Sequence, residues 1–167
     1  MTKLSLAGVI RESIVDGPGI RYTVFAQGCP HHCPGCHNAH TWPFSGGFLT
    51  DPERIVAEMK QNPMLRGITL SGGEPFCQQK AMAELAALVH AAGYDVITYT
   101  GYLFEELLEK AKADPDVLAL LQQTDVLIDG PFVQEEKSYD IRFRGSKNQR
   151  AINVKASLSG SVVLAQL

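Results

Sequence analysis

At 167 residues, with 45% apolar and 20% charged residues, the chain has the balance of a globular protein and the length for one hydrophobic core, so a single domain over residues 1–167 is expected. A formal net charge of −3 gives no broad electrostatic case for direct nucleic-acid binding. The opening stretch meets Arg11 and Glu12 too soon for a secretory signal, and no run approaches the ~20 apolar residues that span a bilayer, so a cytoplasmic protein without a membrane partner is expected.

The first strand in chain order is Arg21-Tyr-Thr-Val-Phe-Ala-Gln27, rich in β-branched and aromatic residues. It runs directly into a cysteine-rich loop. Thr50-Asp-Pro-Glu53 reads as a capping box that opens a helix through Ile55, Val56 and Met59. Gly67-Ile-Thr-Leu-Ser71 is a second strand, ended by Gly72-Gly73-Glu74-Pro75, and a helix follows from about Gln78 to Ala92 with Gly93 as its stop. Asp95 to Thr100 is a third strand, closed by Gly101. The next helical stretch begins near Leu103, breaks at Asp114-Pro115 and resumes through Leu118 to Leu121. Asp125 to Asp129 is a fourth strand, closed by Gly130-Pro131, and Ile152–Ala156 and Val162–Leu164 are weaker strand candidates.

Strands alternating with helices predict an α/β fold with a mostly parallel sheet. In such folds the working residues sit beyond the C-terminal strand ends, where the cysteine loop, the double-glycine turn, Thr100-Gly101 and Asp129-Gly130 all fall. The chain is too short for eight βα units, so a partial, open β/α barrel is expected.

Gly28-Cys-Pro-His-His-Cys-Pro-Gly-Cys-His-Asn38 places Cys29, Cys33 and Cys36 at C-x3-C-x2-C spacing. In a reducing compartment these are thiols available to metal. Three thiolates on one short loop suit a cubane iron–sulfur cluster and leave its fourth iron without a protein ligand, free to bind a substrate. The bland alternative is a structural zinc, with His31, His32 or His37 as fourth ligand, but no second cysteine pair follows and neighbours such as Cys36 and His37 rarely aim at one ion. His31 and His32 then read as loop-surface residues, and Cys77 as a packed or half-exposed thiol. The Gly72-Gly73 turn after a strand either simply permits positive φ or lets a ligand come close to main chain. Asp129 either caps the following turn or lines a pocket.

The cysteine spacing resembles the signature of radical S-adenosylmethionine enzymes, and Gly72-Gly73-Glu74-Pro75 is similar to that superfamily's GGEP element. The resemblance implies a [4Fe–4S] cluster on Cys29, Cys33 and Cys36, with S-adenosylmethionine chelating the fourth iron through its amino and carboxylate groups. It further implies reductive cleavage of the sulfonium to methionine and a 5′-deoxyadenosyl radical, the cofactors carrying the chemistry and the protein the positioning. Gly35, His37, Ser71, Gly72, Gly73, Glu74, Thr98, Thr100 and Asp129 are the cofactor-binding candidates that it implies.

Three further segments, Ile14-Val-Asp-Gly-Pro-Gly-Ile-Arg21, Cys36-His-Asn38 with Thr41-Trp42 and Gly46-Gly47, and Phe143-Arg-Gly-Ser-Lys-Asn-Gln-Arg150, narrow the likeness to the activating proteins of anaerobic ribonucleoside-triphosphate reductase. That family implies the large glycyl-radical reductase as protein partner and a low-potential electron donor such as flavodoxin. The neighbouring alternatives are an activase of pyruvate formate-lyase type and a zinc-stabilised binding module. Arg144, Lys147 and Arg150 are either a solvated basic turn, a partner contact or a cover for the cofactor, and Trp42 and Phe44 either lid or local core.

Overall fold

In the computed structural model, which describes residues 2–167, seven strands form one open sheet in the order β3-β1-β2-β4-β5-β6-β7. The strands are β1 (Leu4–Ser13), β2 (Ile20–Ala26), β3 (Phe48–Thr50), β4 (Leu65–Gly72), β5 (Asp95–Tyr99), β6 (Val126–Asp129) and β7 (Arg150–Asn153). The four central strands β2, β4, β5 and β6 are parallel, as the alternating pattern predicts. Antiparallel strands flank them: β1 and β3 on one side, β7 on the other.

The helices are α1 (Pro52–Lys60), α2 (Gln79–Ala91), α3 (Phe104–Ala111), α4 (Pro115–Gln123) and the short α5 (Val154–Ser157). Each long helix brings an apolar stripe to the sheet. On α2, Met82, Leu85, Ala86 and Val89 are fully buried, each large side chain worth roughly 1.5–3 kcal/mol of burial. Asp114 caps α4 by accepting from the amides of Asp116 and Val117, and Pro115 behind it needs no donor at the first helical position.

Three local expectations shift. The cap of α1 is Asp51 rather than Thr50, because Thr50 is drawn into β3 opposite Leu4. The stretch from Ile152 leaves the sheet after Asn153 and turns into α5, while Val162–Leu164 contributes a single bridge, Leu164 to Ile152. Strands β1 and β3 are the elements the sequence reading passes over.

Side chains alternate across each strand, and the two faces of the sheet differ. Tyr22, Val24, Ile68, Leu70, Val96 and Leu127 pack into the main core with the helices. On the opposite face Ile97, Ile128 and Ala151 form a smaller cluster with Tyr99 and the C-terminal Leu167. That face also carries Arg21, fully buried: its Nε donates to Thr69 Oγ1 at 2.8 Å, and Nη2 to Ile68 O at 2.7 Å and Asp95 Oδ1 at 2.5 Å. Its Nη1 donates to Pro18 O at 3.2 Å, and Thr69 Oγ1 donates to Asp16 O at 2.9 Å. The loop between β1 and β2 is thereby fastened across this face of the sheet through Asp16 and Pro18.

Candidate active site

A cavity of about 730 Å³ opens beyond the C-terminal ends of the central strands, within the ~300–1,000 Å³ usual for small-molecule sites. Cys29, Cys33 and Cys36 line it from the loop after β2, Ser71 to Gly73 from the end of β4, and Tyr99 to Gly101 from the end of β5. Gly130 and Phe132 follow β6, and Phe143 to Gly145 form the facing wall. All four cysteines are free.

The cysteine loop and the glycine turn are stitched together through backbone. Gly73 N donates to Ala26 O and Glu74 N to Gly28 O, both at 2.8 Å. A side chain on Gly73 would run into the Gly28 carbonyl, and Gly72 sits at φ +89°, a conformation that excludes most other residues. The loop's other edge is held by Gly28 N to Thr41 O at 2.6 Å and Cys29 N to Trp42 O at 3.0 Å.

Glu74 is fully buried and serves as the node between these segments. Its Oε1 accepts from Gly101 N at 2.8 Å, and its Oε2 from Phe76 N at 3.0 Å. The Thr100 hydroxyl lies 2.9 and 3.0 Å from the two oxygens, and His31 Nε2 is 2.7 Å from Oε1. His31 is therefore no surface residue: it pins the cysteine loop to Glu74 and sets its ring edge-on to Tyr102 at 4.5 Å.

Of the sequence candidates, Cys29, Cys33, Cys36, His37, Ser71, Gly72, Gly73 and Thr100 meet at the cavity. Four do not line it, and each for a physical reason. Thr98 falls on the helix-facing side of β5 and bonds Thr124 Oγ1 at 2.9 Å. Asp129, on the same side of β6, accepts from Phe104 N at 2.8 Å and from Arg150 Nε at 3.0 Å, so it caps the start of α3 rather than the turn after β6. Gly35, at φ +77°, makes a turn under Gln134, and Glu74 spends its oxygens on the node.

Tyr99, within the strand-end stretch Thr98 to Gly101 that the resemblance suggests lines the cofactor pocket, does line the cavity; its hydroxyl donates to Phe143 O at 2.5 Å, and it shares parity with Ile97 on the face opposite the helices. Trp42 lines the cavity and stacks on His32 at 4.6 Å, whereas Phe44 is exposed.

Burial holds the Cys29 and Cys33 thiols above their ordinary pKa, so metal loading must displace protons. Cys77 is exposed, yet partial desolvation together with the nearby Glu74 charge pushes its thiol up to about 11, so it stays protonated at neutral pH. Cys77 does not line the cavity, and Cys77→Ala should leave iron content per chain unchanged after anaerobic reconstitution; a drop of one quarter or more would make it a ligand.

The family model described as a 4Fe-4S single cluster domain matches residues 15–152. Proteins named anaerobic ribonucleoside-triphosphate reductase-activating protein match at 38% identity in Vibrio cholerae serotype O1, 41% in Salmonella typhi and 39% in Escherichia coli K12. Each match covers 81% of this chain and 89–90% of the relative. The chain belongs to this family. The solved structure of QueE from Escherichia coli overlaps 59% of the chain and 53% of its own, at 20% identity and a TM-score of 0.47.

The residues present fit an iron–sulfur cluster. Three thiols from one short loop line one cavity. Trp42 stands in the same wall, its indole N–H buried without an acceptor. No described helix is long and apolar enough to cross a membrane.

Proposed function

We propose that this chain installs a glycyl radical on a class III anaerobic ribonucleoside-triphosphate reductase. When bound, a [4Fe–4S] cluster and S-adenosylmethionine supply the chemistry: one electron cleaves the sulfonium to methionine and a 5′-deoxyadenosyl radical, which takes an α-hydrogen from a glycine of the partner. The observation that carries the reading is the meeting of three thiols and an approachable double-glycine turn in one cavity at the parallel strand ends.

The chain's own residues bind, orient and shield. Cys29, Cys33 and Cys36 hold the cluster and leave one iron without a protein ligand. Ser71, Gly72 and Gly73 present main chain to the methionyl end of the cofactor, with His37 and Thr100 on neighbouring walls. Glu74 and Gly35 shape the loops rather than touch the ligand, and Thr98 and Asp129 support the strand ends from behind. Tyr99, Phe132 and Phe143 supply apolar wall that keeps water from a reactive intermediate. Hydrogen transfer needs near-contact geometry, so a loop of the reductase must enter this mouth.

On this reading residues 1–167 are one radical S-adenosylmethionine domain whose open sheet stands for a partial barrel. The enzyme is an oxidoreductase of the cytoplasm, supplied with electrons by a low-potential donor such as flavodoxin. The test is to mix the anaerobically reduced, iron-loaded protein with S-adenosylmethionine and the reductase. A glycine-centred doublet in the electron paramagnetic resonance spectrum is expected; its absence under conditions that cleave the cofactor would redirect the activity to another target. A colourless, zinc-loaded protein would overturn the reading altogether.

A further inference from the structure

Arg144 is the cationic residue of the cavity wall whose place its surroundings do not explain. Among the described residues it forms no ion pair: the guanidinium makes one long bond, Nη1 to Gln149 O at 3.4 Å, and its Nε is buried with no partner. The Nε is closed off from the cavity as well, so a ligand there meets the rest of a half-buried guanidinium that no carboxylate neutralises. Lys137 and Arg142, which also line the cavity, are exposed and lie over the rings of Tyr139 and Phe143, and Arg142 Nη1 also donates to Leu167 O at 3.3 Å.

The backbone holds Arg144 in this place. Phe143 stands at φ +64°, a left-handed conformation costly for a bulky residue, and the Tyr99 hydroxyl fixes its carbonyl at 2.5 Å. On the other side Gln149 ties the turn down, accepting from Gly145 N at 2.8 Å and donating to Gly130 O at 3.1 Å. Strain at Phe143 is thus bound up with keeping a guanidinium in the cavity wall. Asp16 is the one carboxylate among the described residues of that wall, and its Oδ2 is already taken by Ser13 Oγ at 2.5 Å and Thr23 Oγ1 at 3.2 Å.

We propose that Arg144 receives the methionyl carboxylate of S-adenosylmethionine, an assignment that rests on the function proposed for this cavity. The ligand's sulfonium and ammonium are cationic and would be repelled by a guanidinium; its carboxylate is the one anionic group it offers. A carboxylate has two oxygens and about four lone-pair sites, so engagement at a metal through one oxygen leaves the other for an N–H fork. Arg suits this better than Lys because its planar donors match the carboxylate's geometry.

The experiment measures ligand binding by equilibrium dialysis on the iron-loaded protein, with S-adenosylmethionine and its decarboxylated analogue as probes. Arg144→Gln should weaken S-adenosylmethionine binding roughly tenfold or more, the scale of a charge-assisted hydrogen bond, and change binding of the decarboxylated analogue less than about twofold. Arg144→Lys should fall between. Equal weakening of both probes, or none of either, overturns the assignment. Iron content and melting temperature of the variants should match the unaltered protein, and a shared loss of these would likewise count against a ligand-specific role. Failure of the unaltered protein to bind S-adenosylmethionine would instead overturn the function on which the assignment depends.

Discussion

Cys33→Ala should yield a protein that folds, retains little iron and no longer cleaves S-adenosylmethionine. Cys33 lies in a loop outside the hydrophobic core, where its carbonyl accepts from Cys36 N at 3.1 Å, a backbone bond that alanine keeps. The circular dichroism of the metal-free variant should therefore match that of the unaltered chain. What alanine removes is one of three sulfurs, and two thiolates anchor a cubane poorly. Loss of an outer-shell partner alone costs roughly 10–100-fold in metal affinity, so loss of a direct ligand should exceed that range. Iron and acid-labile sulfide per chain, with visible absorption after anaerobic reconstitution, are the measurements. Full iron content with intact cleavage would remove Cys33 from the ligand set.

Glu74→Ala should be the most destabilising single change at the site. It strips the acceptor from the buried Phe76 amide and Thr100 hydroxyl and from the half-buried Gly101 amide and His31 ring. Each buried group left unpaired costs about 1–3 kcal/mol, and after partial relaxation a net loss on the order of 3–5 kcal/mol is expected. Urea unfolding of the metal-free protein measures this without interference from cluster loss. Glu74→Gln should recover only part, because its amide nitrogen must face a backbone N–H. A variant as stable as the unaltered chain would mean that the node does not hold the loops.

The features legible in the sequence were those written locally. The cysteine spacing, the glycine pair after a β-rich run and the apolar stripe of α2 each occupy a few neighbouring residues. The central strands β2, β4, β5 and β6 were legible for the same reason. Strand β1 was not: Gly8 and the charged Arg11 and Glu12 interrupt its alternation, and its pairing with β2 is irregular at two points. Strand β3 is only Phe48–Thr50 and exists because β1 offers it an edge.

Strand parity decided the remaining outcomes at the site. Thr98 and Tyr99 are adjacent in sequence, yet one bonds Thr124 against α4 and the other closes over the cavity. A polar residue at a strand end thus says nothing about its role until the helix-covered face is known. The buried environment of Arg21 was equally hidden, since an arginine at a strand start reads as solvated until Asp95 and Thr69 are brought to it. The wall from Phe132 to Gln149 has no periodicity to read; its shape comes from cross-bonds such as Gln149 to Gly130.

The two amide bonds from Gly73 and Glu74 back to the end of β2 have a thermodynamic corollary. Immobilising a backbone residue costs about 1–2 kcal/mol in lost freedom, and here folding has already met that cost for both loops at once. An arriving small molecule finds main-chain groups that need not be ordered on its behalf, and more of its contact energy survives as affinity.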